Sequence, residues 1–378
     1  MATAVNESEV SRQDEEQNTT IATGFVQEKV PPGPLDFEEA PDGGARAWLV
    51  AAAGSSIFFC CLGVSNAFGA FAQYYSTHQL RDESPDNIAW IGSLSAFLQF
   101  AAVHGRRTVV IRPAAVAYIF AIMMLSLCNK YWQVMLVQGV LMGIVMGLLQ
   151  FPAFAAVSHY FDKKRAAAFG VVVSGSSIGG IVIPIALSKM LNSSSLGFGW
   201  SVRVIGFLIT PILVFACVAI RARLPSRTST FWIPAAYKDV KFLLIIAALF
   251  FIFIGMFTPL FFIPIYAVTR GTDPTLAGYL LAIVNAASTF GRIIPGVLAD
   301  RYGRLNVFAF GGISTGIVVF CLNSTTTNAA LIVYSVVFGF VSGTIISGAS
   351  ASISICTTDA RDMGTYMGMG MSISALGV

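Results

Sequence analysis

Eleven long apolar runs separated by short polar turns take up most of the 378-residue chain. They lie near 47–74, 88–103, 109–128, 131–157, 166–190, 200–220, 242–268, 276–298, 306–322, 329–355 and 364–378. A helix needs about 20 mostly apolar residues to cross the hydrocarbon core of a bilayer. Lipid offers the backbone no hydrogen-bond partners, so a crossing chain must satisfy them internally. The pattern predicts an all-α polytopic membrane protein. Composition agrees: 56% of residues are apolar and 11% charged, with a mean hydropathy of +0.74. A soluble protein carries charge on roughly a quarter of its residues, so an ordinary soluble enzyme is excluded, as is a disordered chain. Two runs are unusual. The second holds about 16 residues, short for a span, and the last reaches Val378 after about 15.

The charges divide the chain further. Ten of the 19 acidic residues precede Gly43, and residues 1–45 are too polar to bury a core. They are expected to form a disordered cytosolic tail, with no signal-peptide pattern. If the N-terminus is inside, the inner connections hold Arg106, Arg107, Lys163, Lys164, Arg165, Arg221, Arg223, Arg227, Lys238, Lys241, Arg301, Arg304 and Arg361. The outer side then has Arg81, Lys130, Lys189, Arg203 and Arg270. Basic loops stay cytosolic, which predicts a cytosolic N-terminus in the cell membrane, with the vacuolar membrane as the alternative. The polar stretch 221–241, with Pro225 and Pro234, reads as a cytosolic linker between a six-span half (46–220) and a five-span half (242–378). The expected partners are the lipid bilayer and a small organic molecule. A net charge of +4 concentrated in loops gives no reason to expect nucleic acid, and without a GxxxxGK[ST] loop no nucleotide is expected. The six cysteines sit in or beside apolar runs without metal spacing, so no metal, cofactor or disulfide is expected. No HExxH pattern suggests an enzyme.

The most specific motif is Gly296-Val-Leu-Ala-Asp300-Arg301-Tyr-Gly303-Arg304, between the eighth and ninth runs. Gly296 permits close helix approach, and Gly303 can take the positive φ of a tight turn. Asp300 is placed to meet a neighbouring helix N-terminus, while Arg301 and Arg304 hold the turn inside. The equivalent turn of the first half keeps only His104-Gly105-Arg106-Arg107, with Leu98, Ala102 and Val103 where Gly, Asp and Arg belong. Compared with the second-half turn, about a dozen residues are missing there.

The nine-residue pattern and the two-half plan resemble the major facilitator superfamily. That resemblance implies two six-helix halves, here with the last helix and part of the second missing, as in an incomplete chain. Pro41-Asp42-Gly43-Gly44-Ala-Arg-Ala-Trp48, the run from Tyr131 to Tyr160, and FDKKRAAAFGVVVSGSSIGGIVIP after it look like the fungal branch of the monocarboxylate transporter family. The likeness covers the chain from about residue 41 onward.

Ionisable groups at membrane depth are functional candidates. The nine acids after Asp42 all fall in loops or at helix ends, and Arg292, inside the eighth run, is the exception. The resemblance implies that Arg292 meets a substrate carboxylate, as an arginine of this helix does in the animal carriers. A forked guanidinium suits that pairing. The alternative is an arginine snorkelling to the headgroups. The family's aspartate one turn earlier is Ser288 here, and its first-span lysine is replaced by Asn66-Ala67. The relay used for proton-coupled lactate movement is therefore incomplete.

Asn66, Asn285 and Ser288 join Arg292 as candidate substrate contacts, with Gln138, Gln150, Ser174, Ser176, Ser342 and Ser347 as weaker ones. Each could instead be a helix–helix hydrogen bond. Phe68, Phe151 and Tyr279 are candidate aromatic contacts. Gly139, Gly143 and Gly147 form a small face on the fourth run, for helix packing or for a cavity wall. The expected function is transport of a small organic molecule by alternating access, most simply efflux of a specialised metabolite. Import of a monocarboxylate or riboflavin-like solute is the first alternative, and a non-transporting sensor or degenerate carrier the second.

Overall fold

The computed structural model describes residues 40–101, 110–193, 195–221, 233–357 and 362–377, and among them the regular structure is entirely helical. Eleven helices follow the apolar runs: α1 (Ala45–Gln79), α2 (Pro85–Ala101), α3 (Ile111–Leu125), α4 (Tyr131–Ser158), α5 (Arg165–Ser193) and α6 (Gly197–Ala219). Then come α7 (Val240–Thr269), α8 (Pro274–Tyr302), α9 (Arg304–Cys321), α10 (Asn328–Ile353) and α11 (Met363–Ser374). Eight are long and apolar enough to cross a bilayer, and α2, α3 and α11 are shorter. The His104–Arg107 remnant, Arg223, Arg227 and Arg361 lie outside the described residues.

Water cannot drive these helices together in lipid, so backbone proximity matters more than side-chain bulk. Glycines set that proximity. A Cβ at Gly175 would lie 2.0 Å from the Ser55 carbonyl oxygen, and one at Gly179 would lie 2.3 Å from that of Phe59. α5 therefore lies directly on α1. The second half repeats the device: a Cβ at Gly291 would stand 2.0 Å from the Phe340 oxygen, and one at Gly339 would stand 2.3 Å from that of Val284. This seals α8 to α10. The glycine face of α4 serves packing at two of its positions. A Cβ at Gly143 would lie 2.8 Å from the Ser95 oxygen of α2, and Gly139 faces the Ile91 oxygen at 3.5 Å.

Two helices contain π turns. α1 ends in one at Tyr75–Gln79, and α4 carries one at Met135–Met142. The Tyr75 hydroxyl donates to Gln138 Oε1 at 2.7 Å, and both residues are buried, so the two turns are tied to each other. An extra residue in a helical turn is the sort of irregularity that a buried hydrogen bond can hold in place.

The short turns alternate the helix directions and give the bundle two chemically different ends. Exposed Trp90, Trp132 and Trp200 sit at the starts of α2, α4 and α6, where an aromatic belt would meet headgroups. Arg112, Lys163, Lys164, Arg165, Lys238, Lys241, Arg301 and Arg304 gather at the other end, called the basic end below. Between the ends, Phe251, Phe310 and Phe320 are among the large apolar side chains exposed on the outside of the bundle.

Candidate functional site

The basic end is closed by the α8–α9 motif. Gly303, at φ +98°, turns the chain so that α9 starts at Arg304. Asp300 then meets the first turn of α5: Oδ1 accepts from the Ala166 amide at 3.0 Å and Oδ2 from the Ala167 amide at 2.8 Å. The first amides of a helix lack intrahelical partners and carry partial positive charge, so a carboxylate there is doubly favoured. Arg304 lies 3.6 Å from Asp300 and donates to the Asp162 carbonyl at 2.7 Å and to Ser354 Oγ at 3.2 Å. Gly296 supports this approach, since a Cβ there would lie 2.9 Å from the Ala166 oxygen. Four of the five motif residues thus act together. Arg301 stands apart, exposed over the Tyr302 ring at 5.6 Å.

Asp42 serves the same helix start. The sequence reading leaves it in the tail, yet its Oδ1 accepts from the Asp162 amide at 2.6 Å and from the Lys164 amide at 3.3 Å. Its own amide donates to the Tyr160 oxygen at 3.0 Å, and it adopts φ +49°. An Asp-Gly-Gly run followed by a helix was the available signal, since such residues tolerate left-handed backbone.

Between α1, α4 and α5 on one side and α7, α8 and α10 on the other lies a cavity of about 140 Å³. Its wall is mainly apolar and includes seven phenylalanines, Phe58, Phe100, Phe151, Phe154, Phe253, Phe257 and Phe338. Its polar groups include Asn66, Gln150, Ser176, Asn285, Ser288 and Arg292, and no carboxylate is among the lining residues. The four main candidates from the sequence are therefore brought together here. Asn66 and Asn285 converge on Gly180 of α5, where a Cβ would be 2.6 Å from Asn66 Nδ2 and 3.1 Å from Asn285 Oδ1.

Arg292 does not snorkel. It is 5% exposed, and Nη1 donates to the Val173 carbonyl at 2.8 Å and to Ser176 Oγ. Its Nε has no hydrogen-bond partner, and among the described residues no carboxylate pairs with it. Its own carbonyl lies 2.4 Å from where a Cβ on Gly170 would sit, so the α8 backbone crosses α5 at this residue.

Of the weaker candidates, Gln150, Ser176 and Ser342 line the cavity. Gln138 faces a second, smaller cavity of about 100 Å³ among α1, α2 and α4. Ser174 and Ser347 bond back to carbonyls of their own helices, at Val171 for the first and at Gly343 and Thr344 for the second. Phe151 lines the central cavity as expected, whereas Phe68 belongs to the smaller one and Tyr279 is 44% exposed. Sequence reading missed most of the aromatic wall, because 30 phenylalanines offer no contrast.

Comparison with known proteins agrees with this architecture. The chain is 45% identical over 355 residues to the aspyridones efflux protein of Emericella nidulans, covering 92% of this chain and 72% of that protein. It is 36% identical over 345 residues to the agnestins efflux protein of Paecilomyces divaricatus, covering 88% and 78%. Among solved structures, a human organic anion transporter superposes with a TM-score of 0.68 at 13% identity, covering 89% of this chain and 92% of that one. The transporter FucP, crystallised in an outward conformation, gives 0.65 at 14% identity, with coverage of 87% and 88%. A family model described as Major Facilitator Superfamily matches residues 53–378. With that match, these relatives and its α8–α9 turn, the chain belongs to the major facilitator superfamily.

Proposed function

We propose that this protein is an efflux carrier of the monocarboxylate-porter type, moving an anionic, largely aromatic specialised metabolite out of a fungal cell by alternating access. The observation that carries this reading is Arg292: a buried cation on the cavity wall, held by neutral acceptors and, among the described residues, lacking a carboxylate partner. A charge left this way in a low-dielectric site is costly unless a counter-charge arrives, and an anionic substrate supplies one. The named efflux proteins among the relatives support the direction of transport. With the N-terminus cytosolic, the basic end faces the cytosol, and the contacts of Asp300 and Arg304 close the site on that side. Ser288 and Asn66, in place of a family aspartate and beside the place of a family lysine, argue against lactate-type proton coupling.

The test is transport in a transporter-poor host, with intracellular and extracellular metabolites profiled by mass spectrometry. The expected result is a metabolite anion that leaves the cell with the wild-type carrier and stays inside with Arg292→Lys at equal membrane abundance. Inward redistribution would favour the importer reading. No redistribution across a broad panel would favour a sensor or degenerate carrier.

A further inference from the structure

A second polar group on the cavity wall has a defined orientation. Gln150 of α4 is 3% exposed, and its Oε1 accepts from Gln99 Nε2 of α2 at 3.3 Å. Gln99, 1% exposed, is oriented in turn by the Ser65 hydroxyl of α1, which donates to its Oε1 at 3.5 Å. This chain of three side chains occupies the Gln150 oxygen and leaves its NH₂ as the free end. Gln150 Nε2 has no oxygen or nitrogen acceptor, and its polar neighbour is the Cys61 thiol of α1, a weak acceptor. An amide nitrogen buried without a partner costs stability that a ligand oxygen would recover.

Two cavity residues therefore hold polar nitrogens without an oxygen or nitrogen acceptor, Gln150 and Arg292, and both nitrogens are donors. They come from different halves of the protein, and the cavity they line carries seven phenylalanines. We infer that Gln150 is a specificity-determining residue whose Nε2–H donates to a neutral carbonyl oxygen of the substrate, separate from the anionic group that meets Arg292. The inference rests on the anion reading above and narrows it. The substrate class becomes organic anions with an apolar body that carries a second, neutral acceptor. Gln99 is a positioning residue, since it acts through Gln150.

The test uses the purified full chain and two probes of one shape: 4-benzoylbenzoate, which has a bridging ketone, and 4-benzylbenzoate, which has CH₂ in its place. Binding would be read by tryptophan fluorescence or thermal shift. Wild type is expected to prefer the ketone by about five- to tenfold, the usual range for one net hydrogen bond. Gln150→Met should erase that preference while keeping the affinity for 4-benzylbenzoate, a pattern that a merely structural role would not produce. Equal affinity of wild type for the two probes, or a preference that survives in Gln150→Met, would overturn the assignment. The wild-type comparison decides the matter even if the variant fails to fold. Arg292→Gln separates the underlying reading: it should weaken both probes by tenfold or more. If it leaves both unchanged while the ketone preference persists, the anion contact fails and the Gln150 contact stands. No binding of either probe to folded wild type would overturn both.

Discussion

Asp42 and Asp300 serve neighbouring amides of one helix start. Asp42 takes those of Asp162 and Lys164, and Asp300 takes those of Ala166 and Ala167. One carboxylate precedes α1, and the other arrives from the second half. Of the two carboxylates, only Asp300 has to let go when the halves separate at the basic end. The sequence thus provides a permanent cap and a removable one.

Asp300→Asn should therefore act on conformation more than on folding. It removes the charge and one of two acceptor oxygens from a partly buried site, worth about 1–2 kcal/mol. Spin labels at the exposed positions 163 and 301 should show the separated population rising about tenfold. An unchanged distance distribution would mean that Asp300 does not hold the halves together.

Asp42→Ala should lower the thermal midpoint without moving that distribution. It loses two hydrogen bonds and forces a residue with a Cβ, and no local polar compensation, into φ +49°, about 1–2 kcal/mol in sum. Asp42→Asn, which keeps an acceptor and tolerates the backbone, should recover most of the loss. Equal damage from both variants would point to the charge rather than to the cap.

The glycine contacts allow a graded comparison. Gly291→Ala places a methyl group on the Phe340 carbonyl and should cost about 1–3 kcal/mol through enforced separation of α8 and α10. Gly316→Ala on α9 has nothing within 4 Å and should be neutral or stabilising, by up to about 1 kcal/mol. Apparent melting temperatures in detergent would rank the two, and a reversed order would refute the packing.

Ser176→Ala should raise the apparent KM for the exported anion by roughly three- to tenfold, the size of one hydrogen bond to a charged group, with little change in abundance. It removes one of the two acceptors that fix the Arg292 guanidinium. An unaltered KM would show that the Val173 carbonyl alone is enough to aim it.

The sequence disclosed the helices well and the cavity poorly, for one physical reason. Apolar runs mark burial against lipid or protein alike. α9 was therefore read near 306–322 and found at Arg304–Cys321, yet nothing in the runs separated Phe253, which faces the cavity, from Phe251, which is 71% exposed. Polar residues gave more, because lipid penalises them: Arg292, Asn66, Asn285 and Ser288 converge on one space. Tyr279 misled the reading because a phenol suits a membrane interface as well as a binding site. The π turn at Met135–Met142 has no local signature, since its tie to Tyr75 comes from another helix.

At Gly170 the backbone of Arg292 lies against α5, while the side chain of the same residue reaches the cavity. The group that would sense an anion and the point where the halves touch are thus separated by one side chain. No relay of intermediate residues is needed between recognition and movement, because a pull on the guanidinium is already a force on the crossing. A substitution that lengthens or shortens that single lever, such as Arg292→Lys, would disturb affinity and gating in one stroke.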